Sequence, residues 1–283
     1  MKRLVLLTAS LFALPLQAAQ FQAPLTDTRW QLVETPLECS LTQTIPGFGE
    51  AGFYRRNGGP LQLSFETHTQ PATQNHVRFR VATAPWQHTQ TDSHDLTSQT
   101  TTPGQSRFVI QNKLAMEALT QLQEGRFPYI EYRSQMYPND IQVMLSTVKL
   151  NDSLPAFQTC LSNLHSDTFE DISKLTVYFR LEEATLDADS KQALSRLASY
   201  AKLDDSIRQI RISSHTDSHG RKRLNEPLSD ARAHAVRSFL VQEQGIPDQL
   251  ITVQSNIAAK PAASNKTIEG RARNRRTEIT LIR

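Results

Sequence analysis

The hydrophobic period of this chain changes once, near residue 165, and the change restricts it to two differently built parts. Before that point apolar and polar residues largely alternate over 61–67 (LQLSFET), 77–84 (VRFRVATA), 127–133 (FPYIEYR) and 141–150 (IQVMLSTVKL). A period of two marks strands with one buried face. One helix is predicted at 114–123, where Leu114, Ala115, Ala118, Leu119 and Leu122 share a face and Gly125 supplies a stop. A second short helix carries Phe157, Cys160, Leu161 and Leu164, while the polar stretch 87–105 reads as a long loop. After the change, strand-like runs at 175–181, 207–214, 251–254 and 277–282 alternate with helical spacing at 187–203, 225–244 and 268–274. In the second of these helices Asn225 is the expected N-cap, Pro227 fits the first turn, and Gly245 with Pro247 ends it. The expected fold class is α+β: a strand-rich β domain over 20–165, then a βαβαβαβ α/β sandwich over 166–283. A length of 283 residues suits about two such domains.

The N-terminus reads Met1-Lys2-Arg3, then an apolar run over 4–16, then Gln17-Ala18-Ala19. A short basic region, an apolar stretch too short to span a bilayer and small residues at a cut site predict a signal peptide over 1–19, cleaved after Ala18 or Ala19. The opposing reading is a retained anchor. No cysteine stands at the cut site, which disfavours a lipid-anchored product, and no later apolar run approaches the ~20 residues of a membrane-spanning helix. The product is expected to be soluble and exported. Export gives meaning to the two cysteines, Cys39 and Cys160. Without a C-x-x-C they suit neither thiol redox chemistry nor a zinc knuckle, and in an oxidising compartment the simplest reading is one disulfide, against two buried free thiols. Closing so long a loop contributes about 4–5 kcal/mol in the chain-entropy treatment.

Lys and Arg number 31 against 28 Asp and Glu, a formal net charge of +3, too small an excess for a dedicated nucleic-acid binder. No Cys/His or Ser/His/Asp spacing points to an activated nucleophile, and Glu182-Glu183 and Asp204-Asp205 read as solvated or helix-dipole groups. A non-enzymatic protein without a cofactor is expected, with a cell-wall hydrolase as the opposing class.

The richest chemistry lies after the second strand of the C-terminal part: His215-Thr216-Asp217-Ser218-His219-Gly220, then Asn225, Leu228-Ser229-Asp230-Ala231-Arg232-Ala233, and finally Gly270-Arg271-Ala272-Arg273-Asn274-Arg275-Arg276. Asp217 falls just past a strand end, where α/β sheets present ligand groups at their rim. Arg232 follows on a helix expected to fold back over the same rim, so that a carboxylate and a guanidinium face one cleft. A ligand bearing an ammonium and a carboxylate on one carbon matches that pair; a plain structural salt bridge is the opposing reading. His215 and His219 could suggest a metal, but they sit in a turn and no third ligand is evident. The basic run 271–276 reads as a solvated face or a wall contact.

This ordered string resembles the OmpA-like peptidoglycan-binding domain over 172–283. The resemblance implies peptidoglycan as a partner, with Asp217 taking the ammonium of diaminopimelate, Arg232 its carboxylate, and Thr216, Asn225 and Leu228 beside them. Two departures are visible: Ser214 stands where the family usually has glycine, and 255–261 (SNIAAKP) lacks both glycines of the family's rim loop. The first part carries its own resemblance. The strings 36–41 (PLECSL), 45–53 (IPGFGEAGF) and 160–164 (CLSNL), leading into 169–172 (FEDI), are similar to the MotY family of periplasmic flagellar-motor proteins, both cysteines included. That resemblance implies a place in a periplasmic ring, the T ring, with MotX at the flagellar basal body, and a part in installing the stator, whose periplasmic domain is a further partner. The opposing reading is a generic periplasmic tether with an unrelated first domain.

Overall fold

The computed structural model describes residues 18–84, 92–217, 222–256 and 261–283, and the side chains of 222–224 and 255–256 are outside the description. The leader expected over 1–19 lies outside the described residues apart from Ala18 and Ala19. The chain divides into two compact units. The first runs through Glu34 and comprises also Cys39–Arg55 and Pro60–Leu161; the second comprises Thr35–Glu38, Arg56–Gly59 and Ser162–Arg283.

The first unit holds β1 (Gln20–Gln22), β2 (Trp30–Thr35), β3 (Glu38–Ile45), β4 (Gly49–Arg56), β5 (Gln62–Thr67), β6 (Ala72–Ala82), β7 (Ser93–Thr100), β8 (Arg107–Gln111), α1 (Lys113–Gln123), β9 (Phe127–Ser134), β10 (Asp140–Met144) and α2 (Leu150–Ser162). Its strands form two five-stranded sheets, ordered β1-β10-β9-β6-β7 and β2-β3-β4-β5-β8. Only β1 pairs in parallel, with β10; the other pairings in its sheet are antiparallel. Inward residues alternate as the sequence period requires: Leu63 and Phe65 on β5, Val77, Phe79 and Val81 on β6, Ile130 and Tyr132 on β9 are all buried. Rings meet between the sheets, Phe65 on Phe79 with centroids 6.3 Å apart and Phe108 on Tyr132 at 4.4 Å. The interior also buries a polar group with its bonds satisfied: Gln43 donates to the Ser146 carbonyl at 3.2 Å and accepts from the Ser146 N–H at 3.0 Å.

Two expectations fail here. The stretch 87–105 contains β7, a sheet-edge strand whose side chains are all at least partly exposed, so no apolar alternation is needed and none marks it. The strand expected over 141–150 stops at Met144, and after Lys149 takes a left-handed backbone (φ 57°) the chain enters α2 at Leu150. Gly52 on β4 answers a close approach: a Cβ there would stand 2.2 Å from the Leu41 carbonyl oxygen. The cysteine expectation is met, for Cys39 on β3 and Cys160 on α2 form a disulfide across a separation of 121, with Cα atoms 5.9 Å apart.

The second unit continues with α3 (Phe169–Ile172), β11 (Lys174–Tyr178), α4 (Ala188–Ala201), β12 (Gln209–His215), α5 (Lys222–Ser238), β13 (Ile251–Asn256), α6 (Ile268–Asn274) and β14 (Arg276–Ile282). The sheet order is β11-β14-β12-β13, with β14 antiparallel to both neighbours and β12 parallel to β13. One sheet face is buried, through Val177, Ile210, Ile212, Ile279 and Leu281, against Leu194, Leu197 and Tyr200 of α4 and Ala233 and Val236 of α5. Asp187 caps α4 by accepting from the Ser190 N–H. Helix α5 begins at Lys222, so Asn225 is not its N-cap. Asn225 lies inside the first turns, where its side-chain amide donates to the Asp217 carbonyl at 3.2 Å and ties the helix to the end of β12. The helix widens into a π-helical turn over Phe239–Glu243 and ends at Gly245 with φ 69°. Among the described residues no helix is long and apolar enough to cross a membrane.

Candidate functional site

The end of β12 carries the first set of polar groups. Alternation along this strand turns Ile210, Ile212 and Ser214 inward under α5. Ser214 is fully buried and cross-linked: its carbonyl accepts from the Ser229 hydroxyl at 3.1 Å and its hydroxyl accepts from Thr277 at 3.0 Å. The serine is therefore integrated between β12, α5 and β14. Past it come His215, whose Nε2 stands 3.8 Å from a Glu278 carboxylate oxygen, then Thr216 and Asp217, all buried. His219 lies outside the described residues, and among those described no group of three metal-capable side chains assembles.

Arg232, on the inward side of α5, is fully buried. Its Nε donates to the Glu183 carbonyl at 2.8 Å and one Nη to the Arg180 carbonyl at 3.0 Å, while the guanidinium carbon lies 5.2 Å from the Phe179 ring centroid. The other guanidinium nitrogen, Nη1, has no hydrogen-bond partner. Burial lowers the Arg232 pKa to about 10; the nearby Arg275 charge pushes the same way and the Asp217 carboxylate opposes both. Asp217 itself accepts from Arg275 Nη1 at 3.0 Å, in a pair whose side chains are 5% and 15% exposed. Arg275 also donates through Nε to the Phe179 carbonyl at 3.2 Å. It is held by α6, whose Asn274 side chain accepts from the Ala262 and Ala263 N–H groups and donates to Ala263 and Asn265 oxygens. Gly270 permits this packing, since a Cβ there would lie 1.9 Å from the Ser264 carbonyl oxygen.

The residues singled out in the sequence therefore fall in one region. Asp217, Thr216 and Asn225 gather at the β12–α5 turn, Leu228 is half-buried on α5, and Arg232 feels the charge of Asp217. The two expected partners are not bonded to each other, because every bonded nitrogen of Arg232 goes to a backbone carbonyl. Sequence reasoning missed Arg275. The run 271–276 reads from the sequence as a solvated face or a wall contact; Arg275 and Arg276 do not fit a solvated face, with side chains 15% and 9% exposed. The available signal was position: an arginine just before the last strand must lie at the sheet rim. Next to this region a cavity of about 180 Å³ is lined by Tyr178, Arg180, Glu183, Thr185, Leu186 and Asp187. Chemically, the corner offers one buried guanidinium N–H without a partner, the buried Thr216 hydroxyl, also without one, and a carboxylate already engaged by a second guanidinium.

Two family descriptions match the chain: the MotY N-terminal domain over residues 21–166 and the OmpA family over residues 178–275. The sodium-type flagellar protein MotY of Vibrio parahaemolyticus is 30% identical over 285 residues, covering 99% of this chain and 95% of the relative. Other relatives match the second unit alone and extend well beyond it. Outer membrane porin F of Pseudomonas aeruginosa is 35% identical over 38% of this chain and 31% of its own length. The peptidoglycan-binding protein ArfA of Mycobacterium bovis is 36% identical over 37% of this chain and 32% of its own. Among solved structures, the peptidoglycan-associated lipoprotein of Burkholderia pseudomallei aligns with a TM-score of 0.36 at 28% identity, over 38% of this chain and 89% of that one. With a MotY N-terminal domain, an OmpA-family second unit and a flagellar relative matched nearly end to end, the chain belongs to the MotY family.

Proposed function

We propose that the protein is a non-enzymatic, periplasmic component of the flagellar motor that holds the cell wall through its second unit. The observation that carries the reading is the corner around Asp217 and Arg232. A fully buried guanidinium keeps one N–H free, beside a carboxylate, at the rim of an OmpA-family sheet. Burying a cation with an unused donor costs free energy unless a ligand anion completes it. A free amino-acid end of a peptidoglycan stem supplies that anion together with an ammonium for Asp217. Thr216, Asn225 and Leu228 frame the same turn, Asn225 by fixing the Asp217 backbone. Each charge-assisted contact made to the ligand is worth about 1.5–3 kcal/mol.

The first unit, in this reading, supplies the attachment to the motor: association with the basal body in the T ring with MotX, and support of stator assembly. Family membership and the flagellar relative support it. Two experiments test the whole. Co-sedimentation of the mature protein with diaminopimelate-type peptidoglycan is expected to be saturable and to weaken on Asp217→Asn. A chromosomal deletion is expected to give flagellated, immotile cells whose isolated basal bodies lack the ring. Normal swimming in the deletion strain rejects the motor role, and undiminished pelleting of the variant rejects the site.

A further inference from the structure

A second group of unpaired polar side chains lies in the first unit, on the sheet β2-β3-β4-β5-β8. The alternation that buries Leu63 and Phe65 turns Ser64 and Glu66 to the outer face of this sheet. Gly52, directly opposite Ser64 on β4, adds no side chain there. The face dips at this point into a cavity of about 170 Å³, whose polar lining includes Ser40, Thr42, Glu50, Ser64, Glu66 and Arg107. Two features leave it incomplete. Ser40 is only 8% exposed, yet its hydroxyl, turned into the cavity, has no hydrogen-bond partner among the described residues; the hydroxyls of Thr42 and Ser64 have none either. Glu50 and Glu66 are direct partners in the β4–β5 register, and like charges set opposite each other weaken a strand pair. Arg107, next along the row, stands 4.0 Å from Glu66 with both side chains 54% exposed, a contact of little worth. Glu50 has no ion pair among the described residues.

We propose that this cavity receives an arginine side chain of a partner protein. A guanidinium between Glu50 and Glu66 turns an unfavourable pair of like charges into a clamp, and its planar fork of five N–H donors finds acceptors in two carboxylates and three short hydroxyls. A lysine ammonium has fewer donors and no plane to match facing carboxylates. The size decides between a side chain and a free small molecule: sites for small molecules run to roughly 300–1,000 Å³, and this cavity is smaller. Pockets of this kind, filled by an arginine from the partner, carry much of the energy of a protein interface. That the partner belongs to the motor rests on the reading of the first unit as the attachment to the motor; the chemistry of the cavity does not.

The test titrates the full mature protein with N-acetyl-arginine amide and reads backbone amide shifts by NMR, with the neutral shape analogue N-acetyl-citrulline amide as control. Saturable shifts are expected at Ser40, Gly52 and Ser64 with arginine, and a response about ten-fold weaker with citrulline, the loss of one charge-assisted bond. Glu50→Gln and Glu66→Gln should each weaken the arginine response by about ten-fold while the melting temperature holds or rises, because the opposed charges are gone. Glu50→Asp keeps the charge and should retain part of the response. The two glutamine variants should still pellet with peptidoglycan, yet associate about ten-fold less with isolated flagellar basal bodies. No saturable shift at these residues, or equal responses to arginine and citrulline, overturns the inference. Full basal-body association of the Glu50→Gln, Glu66→Gln double variant overturns the partner. A wild-type protein that takes arginine at these residues and ignores basal bodies removes the motor reading and supports the cavity.

Discussion

Asp217 and Arg232 share one buried corner of the second unit without bonding to each other. The carboxylate is held by Arg275, 3.0 Å away, and the Arg232 guanidinium is held by the carbonyls of Arg180 and Glu183. Protein groups thus hold both charged side chains in place. Among the described residues of the corner, Arg232 Nη1 and the Thr216 hydroxyl have no hydrogen-bond partner. Preorganisation of this kind lets binding energy go into the ligand contacts instead of ordering a long side chain.

Removing the two charges should therefore have different consequences. Asp217→Asn keeps the shape and the backbone tie from Asn225, so the fold should persist while affinity for peptidoglycan falls by about ten- to a hundred-fold, the worth of one charge-assisted bond. Arg232→Ala also abolishes binding, but it takes a donor from two carbonyls, of which that of Arg180 keeps the Glu183 N–H, and leaves a void beside Phe179. A loss of about 3–5 kcal/mol is expected. Parallel pelleting assays and urea melts check the contrast; an unaltered melt for Arg232→Ala contradicts it.

The disulfide joins β3 to the last helix of the first unit across 121 positions. Cys39→Ser with Cys160→Ser should lower stability by about 2–5 kcal/mol. Non-reducing mass spectrometry of the exported protein should find one intramolecular bridge. Two alkylatable thiols in the native protein would contradict the assignment.

Gly52→Ala should damage the first unit although it adds only a methyl group. The new Cβ meets a backbone carbonyl at 2.2 Å, and backbone in the middle of a paired strand cannot step aside as a flexible side chain can. Overpacking costs about 1–3 kcal/mol, which a shift in the urea midpoint would register. Wild-type stability in this variant would mean that β3 and β4 are not packed as described.

Acid should loosen the second unit through Asp204. This carboxylate is buried, and burial raises its pKa. The Ser206 hydroxyl and backbone N–H, together with Arg283 at 2.8 Å, outweigh burial and hold it below the usual range. A folded-state pKa below the unfolded value gives a contribution that is complete above the unfolded pKa of about 4 and lost as the pH falls through the folded one. Melting temperatures between neutral pH and pH 3 should decline less steeply in Asp204→Asn than in the wild type. Identical slopes would exclude Asp204 as a source of the acid sensitivity.

Much of the architecture was legible because burial imposes a period. Helix α6 was expected over 268–274 and spans Ile268–Asn274, and the strands carrying Leu63 and Phe65 or Ile210 and Ile212 stand where alternation puts them. Legibility failed where burial imposed nothing. Strand β7 sits at a sheet edge with no side chain fully covered, so its polar sequence looks like loop, and the start of α5 at Lys222 was hidden because Asn225 resembles a cap. Its amide instead answers the Asp217 carbonyl, a partner outside the helix.

The sequence by itself determined the division into a strand-rich part and an alternating one, the cysteine pair, and the Asp217, Asn225 and Arg232 string at the end of a strand. These follow from residue type and local spacing, which a linear chain carries in full. Only the tertiary structure decided that Asp217 pairs with Arg275 and that Arg232 is buried on carbonyls from the segment after β11. Charge pairing depends on distance through space, and 58 positions of chain separate Asp217 from the arginine that holds it.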